Sequence, residues 1–552
     1  MKEETKNLYV AIILSVLIIF GVNHFFAPQQ KITAPQKTEQ VALPTQIEEQ
    51  SVQTTPVEEI LKQGERVSIE TSDLDASILL KGARFDFATL KKYQQTLQPD
   101  SENVELLMPA GSETPYFAEF GFLSLDQNQK LPNAETVWQA RSTKLTPQEP
   151  LILEWDNGEG LEFVRTITID DHYLMHMTDT VKNKTDKTVN LYPFGRIYRG
   201  FGEHYVPSRS VVHEGMSGVI DGTLKEFKFG DIKQNAPKSF ETQSGWAGFS
   251  DRYWFSAFIL DDNSNNTVQF ERLGDKSYQV DYRKSPIAIA PQQTASTMTR
   301  FFAGAKEIKL LDYYTKHNDI KKFDLAVDFG WYYFLTKPFF YILDFLYKLI
   351  GNMGWAILLF AALLRLAMFP IANKSYDSMS KMRKIQPKVV ALQAMYKNDK
   401  MLLQQKTMEL YKREKINPAA GCLPVLIQIP IFFSLYKVLN IAIEIRHAPF
   451  IGWIKDLSAP DPLTISTWSH IPLPAFLDIG IWPILMGLTM WFQQKLNPAP
   501  TNKDQARMFA LMPLILTLML GHFASGLVIY WTLSNLLSIV QQKAIMYKNG
   551  VK

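Results

Sequence analysis

A single arginine, Arg365, interrupts the apolar stretch from Met353 to Ala372. An isolated guanidinium in hydrocarbon costs roughly 2.5 to 3.5 kcal/mol on insertion scales, so this side chain faces a bundle interior or wet cavity, or else snorkels to an interface. Pro370 stands five residues on, near a possible inner boundary, and the stretch by itself supports both placements equally. Other candidates for chemistry are weaker. His172 and His176 share one face of a strand but have no third ligand nearby, which favours a structural or surface role over a metal site. The chain holds no Walker loop, no HExxH, no GxSxG and no dinucleotide-binding fingerprint. Its one cysteine, Cys422, cannot form an intrachain disulfide. Covalent, nucleotide and metal chemistry therefore find no support, and no cofactor is expected.

The elements that position Arg365 follow from hydropathy. The 552 residues divide into a polar part and an apolar remainder. Residues 1–26 read as an uncleaved membrane anchor, because the apolar run Leu8–Phe20 is followed by neither a small-x-small cleavage site nor a lipobox cysteine. Further spans are expected at 353–372, 419–443, 473–493, 506–522 and 525–545, six crossings in all. In the fourth span only Ile479 to Phe492 is free of charge. Either a short helix starts there and thins the bilayer, or Asp478 sits at the interface of a full-length helix.

Charge sets the orientation. Between Lys374 and Lys415 eleven Lys or Arg stand against four acidic residues, a net of +7, which places this loop in the cytoplasm. Both termini are then cytoplasmic and the large polar region is exterior. Within the loop, Met379, Met382, Ile385, Val389, Leu392 and Tyr396, then Leu403, Leu410 and Tyr411, predict two antiparallel helices over 374–416. A basic hairpin of this kind suits ribosomal RNA or anionic headgroups, or simply obeys the positive-inside rule.

Residues 27–65 are rich in Gln, Thr, Pro and Glu and read as a flexible linker. From 66 to 325 short alternating runs predict a β-sandwich, including a strand pair, Met177–Val181 and Val189–Tyr192, about the turn signal Asn183–Asp186. Residues 326–352 read as an interfacial amphipathic helix begun at Pro338, with Lys337, Asp344 and Lys348 on one face and a break at Gly351–Gly354. A tail of 546–552 closes the chain.

Three runs carry a resemblance: NPAAGCLPVLIQIPIFFSLY from Asn417 to Tyr436, PILMGLTM from Pro483 to Met490, and SGLVIYWTLSN from Ser525 to Asn535. On these the chain resembles the YidC / oxidase-assembly insertase family of Gram-negative inner membranes. The resemblance implies an α+β membrane protein: six α-helical spans, a five-helix insertase core over 353–545 and a large periplasmic β-supersandwich domain. It also implies a hydrophilic groove open to the cytoplasm and to lipid, in which Arg365 attracts polar or acidic parts of a substrate. Gln428 would line that groove, Phe432 and Met486 would make apolar contacts, and Tyr530, Trp531 and Asn535 would lie where a substrate helix slides past. Nascent membrane proteins, the Sec translocon, the lipid bilayer and, through the basic loop, the ribosome are the implied partners, without enzymatic activity. The chain carries Trp531 and Ala361 where the family often has hydroxyl-bearing residues. A solute transporter or channel with an exterior sensor is the rival class, although the spans show no inverted repeat; an anchored sugar-binding module would leave the basic loop unexplained.

Overall fold

The computed structural model describes residues 55–202, 212–234, 236–260, 264–397, 399–414, 416, 423–498 and 503–550. The expected anchor, residues 27–54 of the linker, and motif residues 417–422 with Cys422 lie outside them.

Strand alternation builds the β-rich part. Leu161–Ile169 buries every second residue, the pattern of a strand with one face on a core. Among the described residues two sheets result, one of eleven strands and one of nine. They pack face to face: Phe85 meets Phe301 at 5.6 Å, Phe258 meets Tyr282 at 4.6 Å, and Tyr116 Oη lies 2.6 Å from Ser256 Oγ. One inward position on Leu161–Ile169 is Arg165, wholly buried, whose Nε and Nη2 grip Asp179 at 2.6 and 3.0 Å while Nη2 also donates to Phe120 O at 2.9 Å in the facing sheet.

The expected strand pair about Asn183–Asp186 is not a hairpin. Leu174–Asn183 pairs with Leu161–Ile169 and Thr294–Ala305, whereas Val189–Gly200 pairs with Tyr116–Leu123 and Ser277–Lys284 in the other sheet. The turn is therefore an arch between layers. Buried Asn183 holds it by donating from Nδ2 to Lys187 O at 2.7 Å and Ile289 O at 2.9 Å.

Asp281, on Ser277–Lys284, is 1% exposed and accepts from Gln279 Nε2 at 3.0 Å. Burial pushes its carboxyl from 3.8 up to about 7. The folded state thus holds this proton more tightly than the unfolded chain, so the group's stabilising effect is complete below pH 3.8 and lost as pH rises to about 7. Asp281→Asn, which cannot ionise, should gain on the wild type across that window by about 2 to 4 kcal/mol and then hold a constant advantage. Thermal unfolding at a series of pH values measures it; a difference that does not change with pH would refute it.

Among the described residues twelve α-helices join the sheets: α1 Val57–Leu61, α2 Ile308–His317, α3 Tyr333–Ile350, α4 Met353–Ala367, α5 Phe369–Lys384, α6 Gln386–Met395, α7 Lys400–Arg413, α8 Leu423–Ile441, α9 Ile465–Ser469, α10 Ile481–Leu496, α11 Lys503–Leu520 and α12 Ser525–Lys548. Gly351 in the left-handed region ends α3, and Asn352 caps α4 by accepting from Trp355 N. Helix α3 starts five residues before Pro338, so this proline is inside the helix rather than at its start. Thr336, Phe339, Phe340, Leu343 and Leu346 form its buried face.

The stretch 353–372 is not one straight helix. Chain direction changes by 66° between α4 and α5 at Met368. Pro370 lacks the N–H that would bond back one turn and instead occupies the first turn of α5. Among the described residues no single helix is long and apolar enough to cross a membrane, while the bent pair α4 and α5 passes by length and composition. Helix α10 begins at Ile481, and Asp478 lies before it, accepting from Ser466 N at 2.9 Å. The helix is therefore short, 16 residues or about 24 Å long. Helices α10 and α11 touch closely at Gly487, where a Cβ would fall 2.2 Å from Thr517 Oγ1.

Candidate functional site

Arg365 occupies the last turn of α4 and is half-buried. The bend at Met368 brings α5 back beneath it, so that Arg365 Nη2 donates to Tyr376 Oη at 2.6 Å and the guanidinium lies 5.7 Å from the centre of the Tyr376 ring. Tyr376 is itself 5% exposed. Among the described residues no carboxylate pairs with Arg365, and its Nε is buried without a partner. A phenol satisfies one donor but leaves the charge uncompensated.

Gln428 and Tyr530 come together from α8 and α12, with Gln428 Nε2 donating to Tyr530 Oη at 3.0 Å. Tyr530 is 2% exposed. Two of the residues singled out in the sequence thus form a hydrogen-bonded pair across α8 and α12, while Arg365 bonds to Tyr376.

One turn along α8 the surroundings become apolar. The Phe432 and Trp531 rings are 4.7 Å apart, Phe432 stacks on Tyr436 at 6.4 Å, and Met486 is fully buried in a cluster with Leu520 and Val528 against which Phe432 and Trp531 pack. Asn535 is 5% exposed and directed at α10, donating to Thr489 Oγ1 at 3.2 Å, while Thr489 Oγ1 donates to Met486 O at 2.8 Å. Its amide fastens α12 to α10.

Tyr376, Thr489, Gln541 and Gln542 escaped the sequence reading. Gln541 Nε2 reaches Asn373 Oδ1 at 2.7 Å and Gln542 Nε2 reaches Asn497 Oδ1 at 3.1 Å. The available signal was the run of polar residues on the buried face of α12: Thr532, Ser534, Asn535, Ser538 and Gln542. Buried polar atoms without a partner among the described residues occur on four of these helices: Arg365 Nε on α4, Ser380 Oγ on α5, Ser434 Oγ on α8, and Gln541 Oε1 and Gln542 Oε1 on α12.

His172 Nδ1 lies 2.7 Å from Asp73 Oδ2, which also receives Lys92 Nζ at 2.8 Å. The basic loop folds as α5 to α7, with Asp399 capping α7 through Leu402 N and Lys388 bridging to Glu414 at 2.7 Å.

A large β-rich domain is thus joined to a helical, apolar region that holds an arginine with no carboxylate partner among the described residues. Residues 66–342 match the family described as the YidC periplasmic domain, and residues 345–551 match the 60Kd inner membrane protein family. The chain is 45% identical to the membrane protein insertase YidC of Beijerinckia indica, over 100% of this chain and 97% of the relative. It is 44% identical to that of Rickettsia felis, over 98% and 99% of the two chains. Among solved structures, an active YidC insertase with its first transmembrane domain resolved aligns at a TM-score of 0.37 and 15% identity, covering 87% of this chain and 92% of its own. The chain belongs to the YidC family of membrane protein insertases.

Proposed function

We propose that the helical region moves short exterior segments of nascent membrane proteins across the inner membrane and releases their apolar helices into lipid, without nucleotide. In this reading six helices span the bilayer, both termini and the basic α5–α7 loop are cytoplasmic, and the β-rich domain is periplasmic. Arg365, Gln428 and Tyr530 line a hydrated groove, and Phe432, Met486, Trp531 and Asn535 mark the side past which the substrate helix leaves. The observation that carries the reading is the Arg365 guanidinium with a tyrosine and no carboxylate as its partner among the described residues. Buried polar atoms without partners on the same helices, such as Arg365 Nε and Ser434 Oγ, need them, and water or substrate backbone supplies them in a groove. Short α4 and α10, about 22 and 24 Å long, reduce the hydrocarbon a polar tail must cross. The emerging apolar segment then partitions into lipid, driven by its own burial. The basic loop is the dock for ribosomes, and the Sec translocon is a partner for longer substrates.

Purified protein in liposomes should integrate a nascent membrane protein without ATP, and photocrosslinkers at Gln428 and Tyr530 should capture the stalled chain. Solute flux without integration would overturn this reading in favour of a transporter.

A further inference from the structure

Where the strand Thr223–Lys228 meets the amino-terminal end of α3 and the carboxyl-terminal half of α8, the protein encloses a cavity of about 690 Å³, within the usual range for small ligands. Its charged lining is Glu226, Asp328 and Lys437. Lys437 Nζ meets Asp328 Oδ2 at 2.6 Å, so these two charges cancel. Glu226 has no hydrogen-bond or ion-pair partner among the described residues and stays accessible from outside. Its surroundings, burial first and the Asp328 charge second, push its carboxyl above the usual range. Among the lining residues Glu226 is the one carboxylate without an ion-pair partner, with Lys306 and Lys228 behind it offsetting part of its charge, and the ring of Tyr332 also lines the cavity. Its rim is greasy: Trp331 is 87% exposed and Phe433 48% exposed.

We propose that this cavity seats the head of an outer-leaflet ethanolamine phospholipid, its primary ammonium on Glu226 and its acyl chains along Trp331 and Phe433. The inference rests on the spanning arrangement proposed above, which puts this junction at the outer headgroup layer, where aromatic side chains are at home. A primary ammonium brings the charge that Glu226 lacks and N–H donors for a carboxylate; a methylated choline head cannot donate, and an anionic glycerol head is repelled. Exposed Trp331 and Phe433 favour an amphiphile over a free amine.

The test reconstitutes the full chain in nanodiscs with equal amounts of ethanolamine, choline and glycerol phospholipids and counts retained lipids by native mass spectrometry. Ethanolamine lipid should be retained with about five-fold preference, the size of one partly exposed charge pair. Glu226→Gln should bring the three to parity with unchanged thermal unfolding. Equal retention by the wild type, preserved selectivity in Glu226→Gln, or crosslinking of the cavity to polypeptide instead of lipid would overturn the proposal. Failure of the chain to enter nanodiscs would count against the spanning arrangement, a separate result.

Discussion

Arg365→Ala should lower insertion of substrates with acidic translocated tails by about ten-fold to a hundred-fold, the equivalent of about 1.5 to 3 kcal/mol for one charge-assisted hydrogen bond. Substrates with uncharged tails should lose far less. The asymmetry follows from the absence of any acidic partner for Arg365 among the described residues, which leaves its field available to an incoming carboxylate. Arg365→Lys retains the charge but not the fork of donors, and should recover part of the loss. Tyr376→Phe removes the 2.6 Å hydrogen bond that orients the guanidinium and should cost less than the alanine variant while affecting the same substrates. Protease protection in proteoliposomes, over tails carrying zero to three acidic residues, measures the series. An arginine that only snorkels to the headgroups predicts no dependence on tail charge, and one that only holds the helices together predicts equal loss for every substrate.

Arg365 was legible because a charge in an apolar run has few places to go, whatever the fold. Tyr376 was not, since its approach depends on the bend at Met368, and a span read through to Ala372 overlooks what Pro370 does to the helix. Hydropathy gives composition without direction, so it located the helices and missed the kink. The same limit explains the arch at Asn183. Turn-forming residues between two alternating runs say that the chain reverses, but whether the runs pair or enter opposite layers is decided by distant strands, here Thr294–Ala305 on one side and Ser277–Lys284 on the other. Gln428, Phe432, Tyr530 and Trp531 came from a family resemblance, and the helices do bring them into contact. The partner of Asn535 needed coordinates, because Thr489 on α10 is a small residue in a run that otherwise reads as packing. Charges at the start of α10 were readable as two alternatives for where the helix begins, and it begins at Ile481, after Asp478, whose carboxylate accepts from Ser466 N.

The second large effect is expected at the join between the two parts of the protein. Lys337, 18% exposed on α3, places its Nζ 2.7 Å from both Asp312 of α2 and Asp324, and 3.0 Å from Tyr333 Oη. Burial opposes the charge on Lys337, but the hydrogen bonds to Asp312, Asp324 and Tyr333 outweigh it and raise its pKa. Lys337→Ala removes the cation and leaves two poorly hydrated carboxylates facing each other, a loss of about 3 to 5 kcal/mol by analogy with other broken buried pairs. That energy is concentrated at one contact, so the expected outcome is local: α3 separates from α2 while the two sheets keep their core. Hydrogen exchange should accelerate in Ile308–His317 and Tyr333–Ile350 and stay slow in central strands such as Tyr116–Leu123. The triple variant Lys337→Met with Asp312→Asn and Asp324→Asn keeps the volume, discards the stranded charges and should recover most of the protection, because replacing a whole buried charge group is far cheaper than halving it. Insertion should follow the same order if α3 has to lie fixed beside α4 and α8 for the arginine to face its groove. Uniform loss of protection across both sheets in Lys337→Ala, or full activity with α3 released, would separate this join from the working of the bundle.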